Sequence, residues 1–310
     1  SYSAPSDELL FNEGFTDLRV RGGDRPGAPV HVDLEPAHSY PHVRVQAMTA
    51  AAPADVAGGG HNTLRAVPDS TTWDIVLEGT IAPNDTATLE VPHHDADHAY
   101  VAAVAEALRG RGVSIDGAET PAATRMDTVA TLSSPPVREI LPALLKPSQN
   151  QIAEMLFRTL ALQATGIGRS DTAAAVVARQ LARWGVPSNE VVIRDGSGLS
   201  RYDYVSPRTL VRVLDAVRHL PGFTAYYDAL PIAGVDGTIQ TRMRGTAAEN
   251  NVHAKTGSIA MARSLSGYVT TANHRILIFS FLCNNWTVPV RSVERVQDAI
   301  AARLAAMQLR

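Results

Sequence analysis

Two lysines lie in stretches whose residue types could do chemistry. Lys255 begins the triplet K-T-G, and Lys146 stands just before an S-x-N triplet formed by Ser148 and Asn150. The chain has 28 lysines and arginines together, and all but these two are arginine. Lysine can lose its proton when its surroundings favour the neutral amine, whereas arginine effectively cannot. These two stretches are therefore the places in the chain where a positive side chain could also act as a titratable group.

The K-T-G triplet is predicted to open a strand. Gly257 removes the side chain that would keep the backbone of a ligand at a distance. Thr256 and the N–H groups of the strand could then bind a carboxylate or a carbonyl. The same letters are also typical of a surface turn before a strand, and the triplet alone leaves both interpretations open.

The S-x-N triplet falls at the junction of two predicted helices, where a hydroxyl and an amide can face the same side of a loop. Serine and asparagine are also ordinary helix N-caps, so the triplet alone equally indicates a structural cap. The conjunction favours a site. Both lysines of an arginine-rich chain fall beside these two triplets, in that order and about a hundred residues apart.

The elements that must position these residues differ between the two parts of the chain. Residues 1–117 contain short alternating runs such as DLRVR and WDIVLEG between Pro, Gly and Asp turns, which predicts a β-rich accessory domain. A helix over DHAYVAAVAEALRGRG is predicted to close it.

Residues 118–310 read as helices followed by strands. Apolar residues recur at spacings of three and four in four stretches, and each predicts an amphipathic helix. Two strands, SLSGYVTTA and HRILIFSFLC, are predicted to meet at a tight turn near Asn273. A terminal helix is expected to pack on this sheet through a single face, made of Val293, Val296, Ile300, Leu304 and Met307.

Composition excludes several classes of function. With 310 residues, 45% hydrophobic and 19% charged, the chain is long enough for one large or two ordinary domains. A net charge of −3 with scattered arginines argues against a nucleic-acid partner. We expect no membrane span, because no window approaches the roughly 18 to 20 apolar residues that one needs. The opening residues lack the order of a secretion signal, so we expect a mature or truncated form.

Other candidate ligand groups carry weaker signals. The single cysteine, Cys283, excludes an internal disulfide and is predicted to be a buried thiol. The run HHDADH at 93–98 has metal-ligand side chains, but its spacing fits no zinc pattern, and Asp95 or Asp97 is explained as a helix cap. We predict no metal and no cofactor.

The stretches around the two triplets resemble a known family. DGSGLSR at 195–201, the run LPIAGVDGTIQTRMRGT and the following HAKTGSIAMARSLSGYV are similar to the D-alanyl-D-alanine carboxypeptidase/endopeptidases, the class C low-molecular-mass penicillin-binding proteins. S-x-N and K-T-G are the second and third motifs of the penicillin-binding and β-lactamase set. The resemblance covers nearly the whole chain and is strongest from 134 to 285.

The resemblance implies a fold and a domain plan. The fold is an α/β (α+β) penicillin-binding-protein/β-lactamase-like transpeptidase fold, with a five-stranded antiparallel sheet flanked by helices. Residues 118–310 would be the C-terminal part of that DD-peptidase domain, and residues 1–117 a β-rich inserted accessory domain. DGSGLSR would form a turn that shapes the wall near the site.

The resemblance also assigns the catalytic residues. Ser148 would relay the proton to the leaving D-alanine amine, and Asn150 would hold the substrate's amide. Lys255 would sit close to Ser148 and supply positive potential.

Three further residues would bind the substrate. The resemblance implies that Thr256 hydrogen-bonds the substrate carboxylate and that the backbone N–H of Ser258 is half of the oxyanion hole. Gly257 would leave room for the substrate between them.

One departure from the family concerns the nucleophile. The first motif, S-x-x-K, is absent, because Ala143 and Val252 stand three residues before the two lysines. We expect the serine and its lysine on an upstream segment outside these 310 residues, removed, or carried by a separate N-terminal chain. A natural pseudoenzyme is the alternative.

The implied function is hydrolysis of D-Ala-D-Ala, or of D-amino acid cross-links, in peptidoglycan stem peptides through an acyl-enzyme. β-Lactams would be inhibitors, and the location would be outside the cytoplasmic membrane. Two alternatives stay open: a non-catalytic peptidoglycan-binding protein that uses the same groove, and a hydrolase of the same fold that acts on β-lactams or D-amino acid amides.

Overall fold

The computed structural model describes residues 9–38, 40–51, 62–72, 74–115, 128 and 130–309. The chain forms two compact units, Ser1–Asp127 and Thr128–Arg310. The division falls shortly after the boundary predicted at 117, and residues 116–127 lie outside the described part. Each unit is built around its own core.

The first unit is β-rich, as predicted. Its strands are β1 Phe15–Arg21, β2 His31–Glu35, β3 Val43–Val45, β4 Met48–Thr49, β5 Arg65–Pro68, β6 Ile75–Glu78, β7 Thr80–Ile81 and β8 Thr86–Pro92, and its helix is α1 Ala96–Arg109. They pair in the orders β2-β1-β8, β3-β6-β5 and β4-β7. The alternation of β1 buries Leu18 and Val20 against a core that includes Leu77 and Ile81.

The HHDADH run is held by this unit's own side chains. His93 is buried, and its Nε2 lies 2.7 Å from Thr16 Oγ1, which also lies 2.8 Å from His38 Nε2. Burial lowers the pKa of His93 to about 4. Asp95 caps α1 by accepting from the His98 N–H at 2.8 Å, so the cap prediction is right for Asp95. In the part of the chain described here, no three His, Cys, Asp or Glu side chains are grouped to hold a metal.

The second unit contains helices before and after an antiparallel sheet. Its helices are α2 Val137–Leu145, α3 Asn150–Thr165, α4 Ser170–Arg183, α5 Pro207–Arg218, α6 Phe223–Ala229 and α7 Val290–Ala305. Its strands are β9 Val191–Val192, β10 Tyr204–Val205, β11 His253–Ile259, β12 Ala262–Thr270 and β13 Ile276–Asn284. No helix among the described residues is both long and apolar enough to cross a membrane.

The main sheet of this unit has the order β11-β12-β13, with the predicted tight turn between β12 and β13. These are three of the five strands that the resemblance implies. Leu265 and Val269 join the core cluster that contains residues of α7, whereas Tyr268 packs with Leu214 of α5. Because side chains alternate along a strand, α5 and α7 lie on opposite faces of the sheet.

The face that α7 presents to the sheet differs from the predicted one. Val293 is buried, but Val296 and Ile300 are 58% and 43% exposed. The buried positions are instead Gln297, Ala301 and Ala305. Leu304 packs, partly buried, against the core cluster of the sheet, whereas Met307 is 38% exposed, so the predicted face is right for Val293 and Leu304 only. Cys283, predicted to be a buried core thiol, is only partly buried and lies 3.7 Å from Gln297 Nε2.

Candidate functional site

The loop that carries Ser148 joins α2 to α3. Gln149 is the N-cap of α3, and its side chain accepts from the Gln151 N–H at 2.9 Å. The Ser148 side chain is therefore not used as this helix's cap. Its backbone has φ +66°, the left-handed region that costs a non-glycine residue roughly 1–2 kcal/mol. Asn150, the other residue of the triplet, is the first residue of α3 and is partly buried.

Ser148 and Lys255 are brought together from separate parts of the chain. Lys255 Nζ, on β11, donates to Ser148 Oγ at 2.6 Å and to the Thr256 carbonyl at 2.9 Å. Burial lowers the pKa of Lys255 from its ordinary 10.5 to about 8. A lysine in this environment exists in both protonation states near neutral pH, which the guanidinium of arginine would not do.

Lys146 has a different environment, although it lies only two residues before Ser148. Its Nζ donates to the Leu230 carbonyl at 2.6 Å and to Asp236 Oδ1 at 3.0 Å, and it lies 2.8 Å from Asp236 Oδ2. Of the two lysines that drew attention to these stretches, one therefore binds the site serine and the other binds a carboxylate beside the site.

The edge of β11 presents backbone donors. Ala254 donates its N–H to the Pro231 carbonyl, away from β12. Because alternate residues of a strand direct their N–H groups to the same side, those of Thr256 and Ser258 also point away from β12. This is the orientation that an oxyanion donor at Ser258 requires. The Thr256 hydroxyl, which the resemblance assigns to the substrate carboxylate, donates to Thr238 Oγ1 at 2.8 Å.

A groove of about 750 Å³ begins at the end of the K-T-G triplet. Gly257 and Ser258 line it on one side, and the DGSGLSR loop lines it with residues that include Asp195, Gly198 and Arg201. Ser148 and Lys255 lie outside its lining, so the groove adjoins the serine–lysine pair rather than containing it. The loop therefore forms one wall of the groove that adjoins the serine–lysine pair.

Carboxylates hold this loop in shape. Glu154 of α3 accepts from the N–H groups of Gly196 and Ser197 at 3.0 and 2.9 Å. Asp195 accepts from the N–H groups of Gly198 and Ser200 at 2.6 and 2.7 Å. Each carboxylate thus satisfies two backbone donors of a segment that has no regular secondary structure.

A third carboxyl group, Asp203, makes the loop sensitive to pH. It accepts from the Arg194 N–H at 2.6 Å, and its pKa is raised to about 6 by desolvation, by a hydrogen bond with Asp195 and by the charges of Asp195 and Glu154. The folded state therefore keeps a proton that the unfolded state, with a pKa of 3.8, releases. The stability gained from this proton is complete below pH 3.8 and is lost as the pH rises through about 6.

We expect Asp203→Asn to remove that dependence, because the amide donates to Asp195 at every pH. Thermal unfolding of the two proteins between pH 4 and pH 8 measures it. The melting temperature of the variant relative to the wild type should increase as the pH rises through about 6. A constant difference across this range would show that Asp203 is already ionised in the folded protein.

Sequence reasoning did not identify Asp236, Thr238 or Asp203 as parts of this region. The Asp-Gly pair at 236–237 is a turn signal. A turn signal does not reveal which distant lysine or threonine the turn will face, and that contact is what places these residues beside the site.

Comparisons with known proteins agree on one family. The model of the D-Ala-D-Ala carboxypeptidase 3 (S13) family matches residues 1–307. A D-alanyl-D-alanine carboxypeptidase of Actinomadura sp. (strain R39) is 35% identical over 311 residues, which cover 95% of this chain and 55% of that protein. The chain therefore spans about half the length of this curated relative.

Solved structures match the fold. The crystal structure of penicillin binding protein 4 (dacB) from Haemophilus influenzae gives a TM-score of 0.79 at 25% identity, covering 99% of this chain and 69% of that one. The same Haemophilus protein complexed with a novel β-lactam gives a TM-score of 0.78 at 24% identity, with 99% and 72% covered. The expectation of a penicillin-binding-protein fold is thereby confirmed.

Proposed function

Because the chain belongs to the D-Ala-D-Ala carboxypeptidase 3 (S13) family, we propose that it supplies the second and third catalytic motifs of a penicillin-binding serine DD-peptidase. The observation that carries the proposal is the 2.6 Å hydrogen bond between Lys255 Nζ and Ser148 Oγ, which joins the two motifs at one place. The nucleophilic serine would come from an S-x-x-K motif outside these 310 residues.

In the proposed reaction, the lysine of the S-x-x-K motif takes the proton of the nucleophilic serine, whose oxygen attacks the carbonyl of the penultimate D-alanine to form a tetrahedral oxyanion. The Ser258 N–H, pointing out from β11, stabilises that oxyanion. One such donor contributes roughly 3–4 kcal/mol to transition-state stabilisation. Ser148, beside the Lys255 ammonium, passes its proton to the amine of the terminal D-alanine and receives one from the S-x-x-K lysine, and the C–N bond breaks. Water then hydrolyses the acyl-enzyme.

The remaining residues bind the substrate in this proposal. Thr256 turns its hydroxyl from Thr238 to the terminal carboxylate of the substrate, and Asn150 holds the amide of the acyl residue. Gly257 keeps the strand open to the peptide, because β11 carries no side chain at this position. The groove along the DGSGLSR loop would take the rest of the stem peptide.

The substrates and the location follow from the same proposal. Peptidoglycan stem peptides that end in D-Ala-D-Ala, or that are cross-linked through D-amino acids, lie outside the cytoplasmic membrane. We therefore place the protein outside the cytoplasmic membrane, in the periplasm, in the cell wall or secreted. β-Lactams would acylate the same serine, in line with the penicillin-binding relative of this fold.

Acylation by penicillin tests the proposal. The intact protein, with its upstream segment, is incubated with benzylpenicillin and examined by intact-mass spectrometry. We expect one adduct of the mass of the antibiotic, located by peptide mapping on a serine of an S-x-x-K motif. The 310-residue chain alone is the matched control and should gain no mass, because it contains no such motif.

Three results would contradict the proposal. An intact protein without an S-x-x-K motif, or one that carries the motif and gains no mass, would favour a peptidoglycan-binding protein without catalysis. Hydrolysis of the penicillin without accumulation of the adduct, together with no release of D-alanine from a D-Ala-D-Ala peptide, would favour a β-lactamase of the same fold.

A further inference from the structure

The second lysine of the chain, Lys146, binds a carboxylate, whereas Lys255 binds the site serine. Lys146 lies two residues before Ser148 and binds the segment that leads to Asp236. We propose that the Lys146–Asp236 ion pair is a positioning device that holds Ser148 within hydrogen-bond reach of Lys255. The catalytic meaning of this position rests on the proposed function.

The loop needs such support because of the conformation of Ser148. Its φ of +66° is one that non-glycine residues keep only where the surrounding structure enforces it. The capping bond of α3 is made by Gln149, so it fixes the following helix rather than the serine. An anchor two residues upstream, at Lys146, restrains the serine from the other side.

The contact between the Lys146 loop and the Asp236 turn involves main-chain atoms as well as the ion pair. Asp236 Oδ1 accepts from the Ile232 N–H at 2.9 Å, so the carboxylate is already oriented by its own turn. The next residue, Gly237, has φ +60°, and a Cβ there would lie 2.9 Å from the carbonyl oxygen of Lys146. The 236–237 turn and the S-x-N loop therefore touch through main-chain atoms.

The same turn reaches the K-T-G triplet. Thr238, the residue after Gly237, accepts the hydrogen bond from the Thr256 hydroxyl at 2.8 Å. The ion pair of Lys146 thus ties the loop of Ser148 to a turn whose far end contacts the strand of Lys255. Loss of the ion pair would let the loop move away from the strand and let water reach the Lys255 ammonium.

The small number of lysines in the chain allows the titration of Lys255 to be measured directly. Because the 310-residue chain has only two lysines, a sample labelled with ¹³Cε-lysine gives two lysine signals, and Lys146→Met leaves that of Lys255 alone. The wild-type Lys255 signal should titrate at about pH 8. In Lys146→Met we expect its midpoint to rise by at least one pH unit towards 10.5, because the ammonium becomes hydrated.

Asp236→Asn separates positioning from direct electrostatics. Loss of the positive charge of Lys146 would by itself raise the pKa of Lys255, whereas loss of the negative charge of Asp236 would by itself lower it. A broken anchor raises it in both variants. A rise in Asp236→Asn therefore supports positioning, and a fall or no change overturns it, whatever Lys146→Met does.

Asp298→Asn is the matched control. It breaks an ion pair of the same unit, in which Arg242 Nη2 lies 2.7 Å from Asp298 Oδ1, and neither residue touches the S-x-N loop. It should leave the Lys255 midpoint at about 8. If Lys146→Met does not fold, Asp236→Asn decides alone, because its amide oxygen can still accept from the Ile232 N–H. The titration needs no nucleophile, so a missing penicillin adduct would defeat the proposed function and leave this result standing.

Discussion

Lys255→Met is expected to lower the rate constant of penicillin acylation of the intact protein by about 10²- to 10³-fold, the range for loss of one preorganised hydrogen-bond donor in an active site. The methionine side chain keeps most of the volume beside Ser148 and removes the ammonium that donates to its hydroxyl at 2.6 Å. Stopped-flow measurement with a chromogenic β-lactam gives the rate constant, and circular dichroism checks that the variant is folded.

The pH profile of the same reaction tests the role of the titratable proton. Burial places the pKa of Lys255 at about 8, so its positive charge is lost as the pH rises through this value. Acylation by the wild type should decline over the same range. Lys255→Arg keeps its charge throughout, and its profile should lack the decline near pH 8. A decline that persists unchanged in Lys255→Arg would assign the titration to another group and contradict the role proposed for Lys255.

Gly267→Ala is expected to be the most destabilising single-methyl substitution in the main sheet. Gly267 of β12 pairs with Ala254 of β11, and a Cβ at 267 would lie 2.1 Å from the His253 carbonyl oxygen and 2.6 Å from Ala254 Cα. Both are main-chain atoms, so β11 must move rather than a side chain rotate. Overpacking of this kind costs up to about 3 kcal/mol, which corresponds to a fall of about 6–12 °C in melting temperature for a unit of this size.

Thermal unfolding of the 310-residue chain measures this effect, and Gly168→Ala provides the control. A Cβ at 168 would approach its nearest neighbours, Arg158 O and Leu162 Cβ, at an ordinary 3.7 Å, and the φ of Gly168 is not positive. This variant should melt within about 2 °C of the wild type, the shift expected for a change under 0.5 kcal/mol. Equal melting temperatures for both variants would show that β11 moves to accommodate the added methyl group without loss of stability.

The sequence is a good guide to elements with a strong period. Four helices of the second unit and the β12–β13 hairpin form where apolar spacing predicts them, because local periodicity and burial favour the same structure there. The same reasoning is only partly right for α7, where Val293 is buried but Val296 and Ile300 are exposed, and the other buried positions are Gln297, Ala301 and Ala305. The spacing of large apolar residues does not identify a helix face that packs through small side chains.

The candidate site, too, could be predicted only in part from the sequence. Motif resemblance puts Ser148 and Lys255 side by side, and the two side chains are in hydrogen-bond contact. The roles of these residues in catalysis stay predictions until the acylation experiments are done. The contact of Lys146 with Asp236 joins residues 90 positions apart and belongs to no motif. Such a contact depends on the path of two loops in space, which neither spacing nor propensity determines.

The lowered pKa of Lys255 has a consequence for covalent chemistry. With a pKa of about 8, about a tenth of the Lys255 amine is unprotonated at pH 7, against less than a thousandth for a lysine at its ordinary value. An unprotonated amine is a nucleophile, and the other lysine of these 310 residues is engaged with a carboxylate. Of the lysines in the 310-residue chain, amine-directed reagents such as activated esters should therefore modify chiefly Lys255, which makes them probes of whether a ligand shields the site.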